Sequence, residues 1–280
     1  MRIGRRPWTD AFLLSVLVRH PVRRVYGPAC PNHLLPPSIE KWLSKNGYRR
    51  MVALVPSAKT GRLRPAPCRA ILAPMLTLYH CHNARSFRAL WAIEEMGLPY
   101  DLHVLPFPPR KRHEGMHAIN PLGTIPVLYD GDAMLTESVA IPHYLATRYG
   151  PTDLAVAPDE PGYAAYLNFL VMGEATLTFP QTIHLRYAVF ARGDERRPEI
   201  ARDYAEWFGS RLRNAETLMG ADYAAAGRFT MADISVGYAI MLALSVGLDE
   251  FVSGAMRAYF ARLGQRPAFQ RAIAAQGSPA

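Results

Sequence analysis

Between Leu76 and Val104, two short apolar runs flank one stretch of helical spacing, and this arrangement limits the fold more than any other feature of the chain. Leu76-Thr77-Leu78-Tyr79-His80 reads as a buried strand, followed by a turn through Asn83. Phe87, Leu90 and Trp91 recur at i, i+3 and i+4 from a helix start near Arg85; Glu94-Glu95 are expected to face water and Gly97 to stop the helix. Pro99 leads into a second strand, Tyr100 to Val104. So short a crossover requires two parallel strands packed under one helix.

A polar, proline-rich loop from Pro106 to His113 and a short helical piece ending at Asn120-Pro121 come next. Gly123 to Tyr129 reads as a strand entered through Pro126, Asp130-Gly131-Asp132 as a hairpin turn, and Ala133 to Thr136 as the return strand. Glu137-Ser138 then opens a helix with Ile141, Tyr144 and Leu145 on its apolar side. The order is βαβαββα, a thioredoxin-like α/β domain over residues 75–150. Beyond a linker from Pro151 to Pro161, residues 161–277 carry only helical patterns, so an all-α domain is expected there. Tyr163, Tyr166, Leu167, Leu170 and Val171 mark its first helix, which Phe179-Pro180 should interrupt. A later helix carries Ile200, Tyr204, Trp207, Phe208 and Leu212. Phe229-Thr230-Met231-Ala232-Asp233-Ile234 is a capping box with a hydrophobic staple, opening a helix apolar on most sides and therefore buried.

The formal charge of +9 suggests a nucleic-acid partner until it is mapped. Residues 1–74 hold fourteen Lys/Arg and two acids, whereas residues 75–280 hold eighteen Lys/Arg and twenty-one acids. The basic character belongs to the leading segment, so neither nucleic acid nor membrane is expected as a partner of the main body. Residues 1–74 lack sustained periodicity and read as a disordered extension, with Met75 as the natural start; a transit peptide and a basic nucleic-acid arm are the alternatives. Cys30, Cys68 and Cys81 form no CxxC pair and suit a reducing, cytoplasmic setting. His80-Cys81-His82 are chain neighbours and do not supply ligands from separated elements, so no metal is expected.

Three segments resemble the cytosolic glutathione S-transferase family. Asn120 to Leu128 is similar to that family's stretch around its cis-proline, and Thr136 to Ile141 to its acidic-Ser helix start. Leu78-Tyr79-His80, continuing through Arg85 to Trp91, resembles the branch containing a yeast transferase and many bacterial ones. The resemblance spans Met75 to about Gly277 and rests on order and spacing together. It implies glutathione as co-substrate, a hydrophobic electrophile as the second substrate, a homodimer, and conjugation or peroxide reduction as the reaction. A non-catalytic binding or regulatory relative is the alternative.

The resemblance also implies a site. Thr124, Ile125 and Pro126 would present backbone to the cysteinyl unit by β-strand addition, with the Ile125–Pro126 bond cis. Ser138 and its helix start would take the γ-glutamyl carboxylate, and Glu137 would face the ammonium. The nucleophile is the glutathione thiolate, so one donor near the thiol suffices as activator. Relatives place Tyr, Ser or Cys after the first strand; here Asn83, Ala84 and Arg85 fill those positions. Asn83 and Arg85 are the candidate activators, with Ser86 a weaker one, because it should lie inside the first helical turn. Each could instead be structural, Asn83 making the turn and Arg85 solvated. Cys81 lacks a partner cysteine and reads as a small buried residue.

Overall fold

The computed structural model describes residues 76–277, all within one compact unit, Arg69–Ala280. The expectations for residues 1–74 lie outside the described residues. The first part is a four-stranded mixed sheet in the order β2-β1-β3-β4. Strand β1 (Leu76–His80) pairs in parallel with β2 (Tyr100–Val104), which lies beyond helix α1 (Phe87–Met96). Its other edge pairs antiparallel with β3 (Val127–Asp130), which turns into β4 (Ala133–Leu135). Between β2 and β3 lie two single turns, α2 (Pro109–Arg112) and α3 (Met116–Ile119), and α4 (Ala140–Arg148) closes the unit. This is the thioredoxin-like order.

Helix α1 is buried along Phe87 to Ile93 because it is sandwiched between the sheet and the helical part. That position corrects the expectation for its acidic end. Glu95 forms a bidentate pair with Arg266 (2.6 and 2.7 Å), and Glu94 binds Arg271 at 2.7 Å. Both carboxylates face the last helix, α10 (Pro267–Gln276), where Arg266 at its N-cap and Arg271 within it remove the need for water.

The helical part comprises α5 (Tyr163–Met172), α6 (Phe179–Leu185), α7 (Pro198–Glu216), α8 (Met231–Ser245), α9 (Gly254–Gly264) and α10. Phe179-Pro180 does not break the first helix. Residues 163–190 run on as one rod with two π-helical turns, Gly173–Thr178 and Arg186–Phe190. The wider turn before Pro180 makes room for a ring that would collide with an α-helical carbonyl. Gly173 lets the rod meet α8 closely: a Cβ there would lie 2.3 Å from Ser235 Oγ. Helix α8 begins as expected, with Thr230 accepting from Ala232 N–H and Asp233 from Thr230 N–H at 2.8 Å. Buried Asp233 also accepts from Ala224 N–H and the Tyr259 hydroxyl, both at 2.8 Å, so the cap ties three segments together. No helix of the described residues is long and apolar enough to cross a membrane.

Candidate functional site

A cleft of about 1360 Å³ opens between the end of the sheet and the rod. Its sheet side carries Thr124, Ile125, Pro126, Glu137 and Ser138, and its helical side Glu174, Thr182 and the second π turn. Arg85, at the turn before α1, reaches across the middle.

The loop entering β3 is built to expose backbone. Buried Asn120 donates to Thr124 O at 2.8 Å and accepts from Leu122 N–H at 3.0 Å. Gly123 has φ +64, and a Cβ there would meet the His117 ring at 2.7 Å, so only glycine fits. The Ile125–Pro126 peptide is cis. The N–H and C=O of Ile125 make no hydrogen bond among the described residues, whereas Val127 is already paired with Tyr79. An extended ligand can therefore add to Ile125 as a strand would. This observation fits a peptide such as glutathione.

Ser138 lies in the turn ahead of α4 and is buried, while Glu137 beside it is exposed. No side chain caps α4. The Ser138 hydroxyl accepts instead from Arg88 Nη1 at 3.0 Å, which leaves its proton free to donate into the cleft.

Arg88 was not singled out from the sequence. It is fully buried, and its guanidinium also donates to Glu174 Oε2 at 2.6 Å, Thr178 Oγ1 at 2.7 Å, Gly173 O at 3.0 Å and Ser235 O at 3.3 Å. The Tyr238 ring lies 4.3 Å from its guanidinium carbon. Burial pushes the arginine below its usual pKa, and the Glu174 carboxylate opposes that shift. Glu174 binds Arg85 Nε as well, at 2.6 Å, and Arg85 Nη2 donates to Thr182 Oγ1 at 2.6 Å. Arg85, Glu174, Arg88 and Ser138 thus form one continuous chain of charged hydrogen bonds along the cleft floor. A lone arginine inside the run Phe87 to Trp91, and a lone glutamate inside the apolar rod, were the signals that could have found it.

The three candidate activators are not brought together. Only Arg85 lines the cleft. Asn83, at φ +51, accepts from Gln276 Nε2 at 2.9 Å, and its own N–H donates to Gln276 Oε1 at 3.0 Å. Its carbonyl accepts from Tyr238. The Asn83 side chain is turned to α10, away from the cleft. Buried Ser86 stands just before α1 and not inside its first turn, with its hydroxyl on the backbone of Cys81. The Cys81 thiol is buried and pushed up to about 12 by desolvation, so it carries no thiolate at neutral pH. Among the described residues, no three His, Cys, Asp or Glu side chains converge for a metal ion.

Residues 84–148 match the family model for the glutathione S-transferase N-terminal domain. The chain is similar to glutathione S-transferase 3 of Zea mays, 30% identical over 169 residues that cover 56% of this chain and 74% of the maize protein. Glutathione S-transferase 3 of Schizosaccharomyces pombe is 27% identical over 156 residues, 53% of this chain, and the match spans only 62% of that protein's length. Among solved structures, a sphingomonad glutathione S-transferase complexed with glutathione superposes with a TM-score of 0.63 at 26% identity, covering 72% of this chain and 98% of that one. The glutathione transferase of Methylococcus capsulatus, at a TM-score of 0.65 and 22% identity over 72% of this chain and 99% of its own, shares the fold. Matched in sequence across most of the maize protein, and in fold with both solved structures, this chain belongs to the glutathione S-transferase family.

Proposed function

We propose that the protein is a glutathione transferase that binds glutathione along Thr124, Ile125, Pro126, Glu137 and Ser138 and activates its thiol beside Arg85. The carrying observation is the unpaired backbone of Ile125 lying in the same cleft as Ser138 and Arg85. Ile125 meets the cysteinyl unit in strand fashion, Ser138 and the turn before α4 take the γ-glutamyl carboxylate, and Glu137 faces the ammonium. A fixed guanidinium beside the sulfur favours thiolate over thiol, because an adjacent cation lowers a thiol pKa. Arg85 is held by Glu174 and Thr182, so it is preorganised for that role. Engagement of Asn83 by Gln276 and of Ser86 by Cys81 argues against either as activator.

With an aryl halide, thiolate sulfur forms a C–S bond while halide leaves with the C–halogen electron pair, and the thiol proton has already passed to solvent. With a hydroperoxide, thiolate attacks the distal oxygen and the O–O electron pair leaves on an alkoxide, which takes a proton from solvent to give the alcohol; a second glutathione then converts the sulfenic acid to disulfide and water. The exposed Phe107, Val189 and Phe190 supply an apolar second-substrate wall. We further infer a cytoplasmic homodimer, with residues 75–150 and 161–277 as its two domains, since closed two-fold pairing is the commonest soluble assembly.

Glutathione titration by calorimetry, followed by turnover with an aryl halide and a hydroperoxide, tests the proposal. Binding with turnover of either substrate is expected. Binding without any turnover would leave the non-catalytic relative as the correct reading, and no binding would refute the site.

A further inference from the structure

Residues 75–280 carry three more acids than bases, yet the cleft is lined by seven cations and three carboxylates. Part of that excess is already assigned. Arg85 is held by Glu174, which it shares with Arg88, and Arg197 donates to the carbonyls of Asp194 and Arg196. Within the proposed function, glutathione brings two carboxylates. One goes to Ser138, and a single cation of α2 suffices for the other. Arg186 and Arg192 on the helical side are still unassigned. Both are exposed, and neither enters an ion pair among the described residues. Arg186 belongs to the second π turn, with its guanidinium carbon 5.7 Å from the Tyr187 ring.

The same turn ends at Phe190, whose ring meets Phe107 from the loop after β2, with centroids 5.7 Å apart and planes inclined by 37°. The two rings are 45% and 55% exposed, so an apolar aromatic clamp lies open in the same cleft that the two unpaired guanidinium groups line. A neutral electrophile would use the clamp and leave the arginines idle. An aromatic ligand bearing an acid uses both, since arginine binds carboxylates through parallel hydrogen bonds.

We propose that the second substrate is an aromatic electrophile carrying a carboxylate or sulfonate, its ring held at Phe107–Phe190 and its acid group by Arg186 and Arg192. The proposal rests on the glutathione reading and adds the chemical class of the acceptor. Glutathione, S-benzylglutathione and S-(4-carboxybenzyl)glutathione, titrated calorimetrically into the full chain, separate the two. One charge-assisted contact corresponds to about tenfold tighter binding of the carboxybenzyl than of the benzyl conjugate. That ratio should shrink as salt is raised, and approach one in the Arg186→Gln/Arg192→Gln double variant. Equal affinities in the wild-type chain, or a ratio that survives the double substitution, overturn the proposal while the glutathione reading stands. Failure of all three ligands to bind overturns both. If the double variant does not fold, equal wild-type affinities still overturn the proposal, and the single variants Arg186→Gln and Arg192→Gln, each expected to lower the ratio, take its place.

Discussion

Arg85 and Asn83 are two residues apart and equally able, as residue types, to stabilise a thiolate; what separates them is which way each side chain is held. Arg85→Ala should therefore lower turnover at neutral pH by raising the thiol pKa of bound glutathione, with the rate recovering in alkaline buffer. Asn83→Ala should act on stability, losing about 1 kcal/mol with the Gln276 contact, and should leave the thiol pKa in place; a thermal melt beside a pH–rate profile distinguishes them. The sequence could place Asn83 in a turn, but its partner lies 193 residues away and no local pattern points to it. The place of Ser138 ahead of a helix was legible because its neighbours Thr136 to Ile141 carry a pattern, and the structure sets it in the cleft lining. Ser138→Ala removes a charge-assisted hydrogen bond worth about 1.5–3 kcal/mol, so glutathione should bind roughly ten- to hundredfold more weakly by calorimetry. His80, buried against Gln276, has its pKa lowered from 6.5 to about 4 by desolvation, with the hydrogen bond to Gln276 opposing. The unfolded chain thus takes up a proton first as pH falls. Stability is undiminished above pH 6.5 and falls on descent to about 4, where the loss amounts to about 3 kcal/mol. The melting temperature should fall more steeply over that window in the wild type than in His80→Gln; parallel curves would contradict the assignment.

Among the elements, the rod over residues 163–190 carries the helical wall of the cleft and, in Glu174, the anchor for Arg85 and Arg88. Gly173→Ala drives a methyl into Ser235, so the rod must move away from α8 and take Glu174 with it. A cost of about 1–3 kcal/mol is expected from such overpacking, seen as a lower melting temperature, together with weaker glutathione binding. An unchanged affinity in a folded variant would mean that Glu174 does not position the site. The strands, α1 and the α8 cap were readable because period, turn residues and capping chemistry are local signals. The rod was misread at Phe179-Pro180 because a proline signals a break, and only tertiary packing shows that a π turn absorbs it. The Glu94-Glu95 end of α1 was misread for the complementary reason: acidic residues near a helix stop look solvated until α10 arrives with Arg266 and Arg271.

At the scale of the whole molecule, α1 is the shared beam. Its start holds Arg88, with Arg85 in the turn just before it beside the cleft, and its other end is clamped by Arg266 and Arg271. The fold followed from the order of elements, since parallel pair, hairpin and closing helix admit few topologies. The site followed only in part, because a buried charge network joins residues of separate elements and leaves no periodic trace. This cleft is proposed to bind glutathione and to hold it as thiolate. Ultraviolet absorbance of the bound thiolate against pH measures that directly. A free thiol titrates near about 8.5, and an adjacent fixed cation should move the midpoint of bound glutathione down by about two units. Bound glutathione that titrates with the same midpoint as glutathione free in solution would contradict the claim.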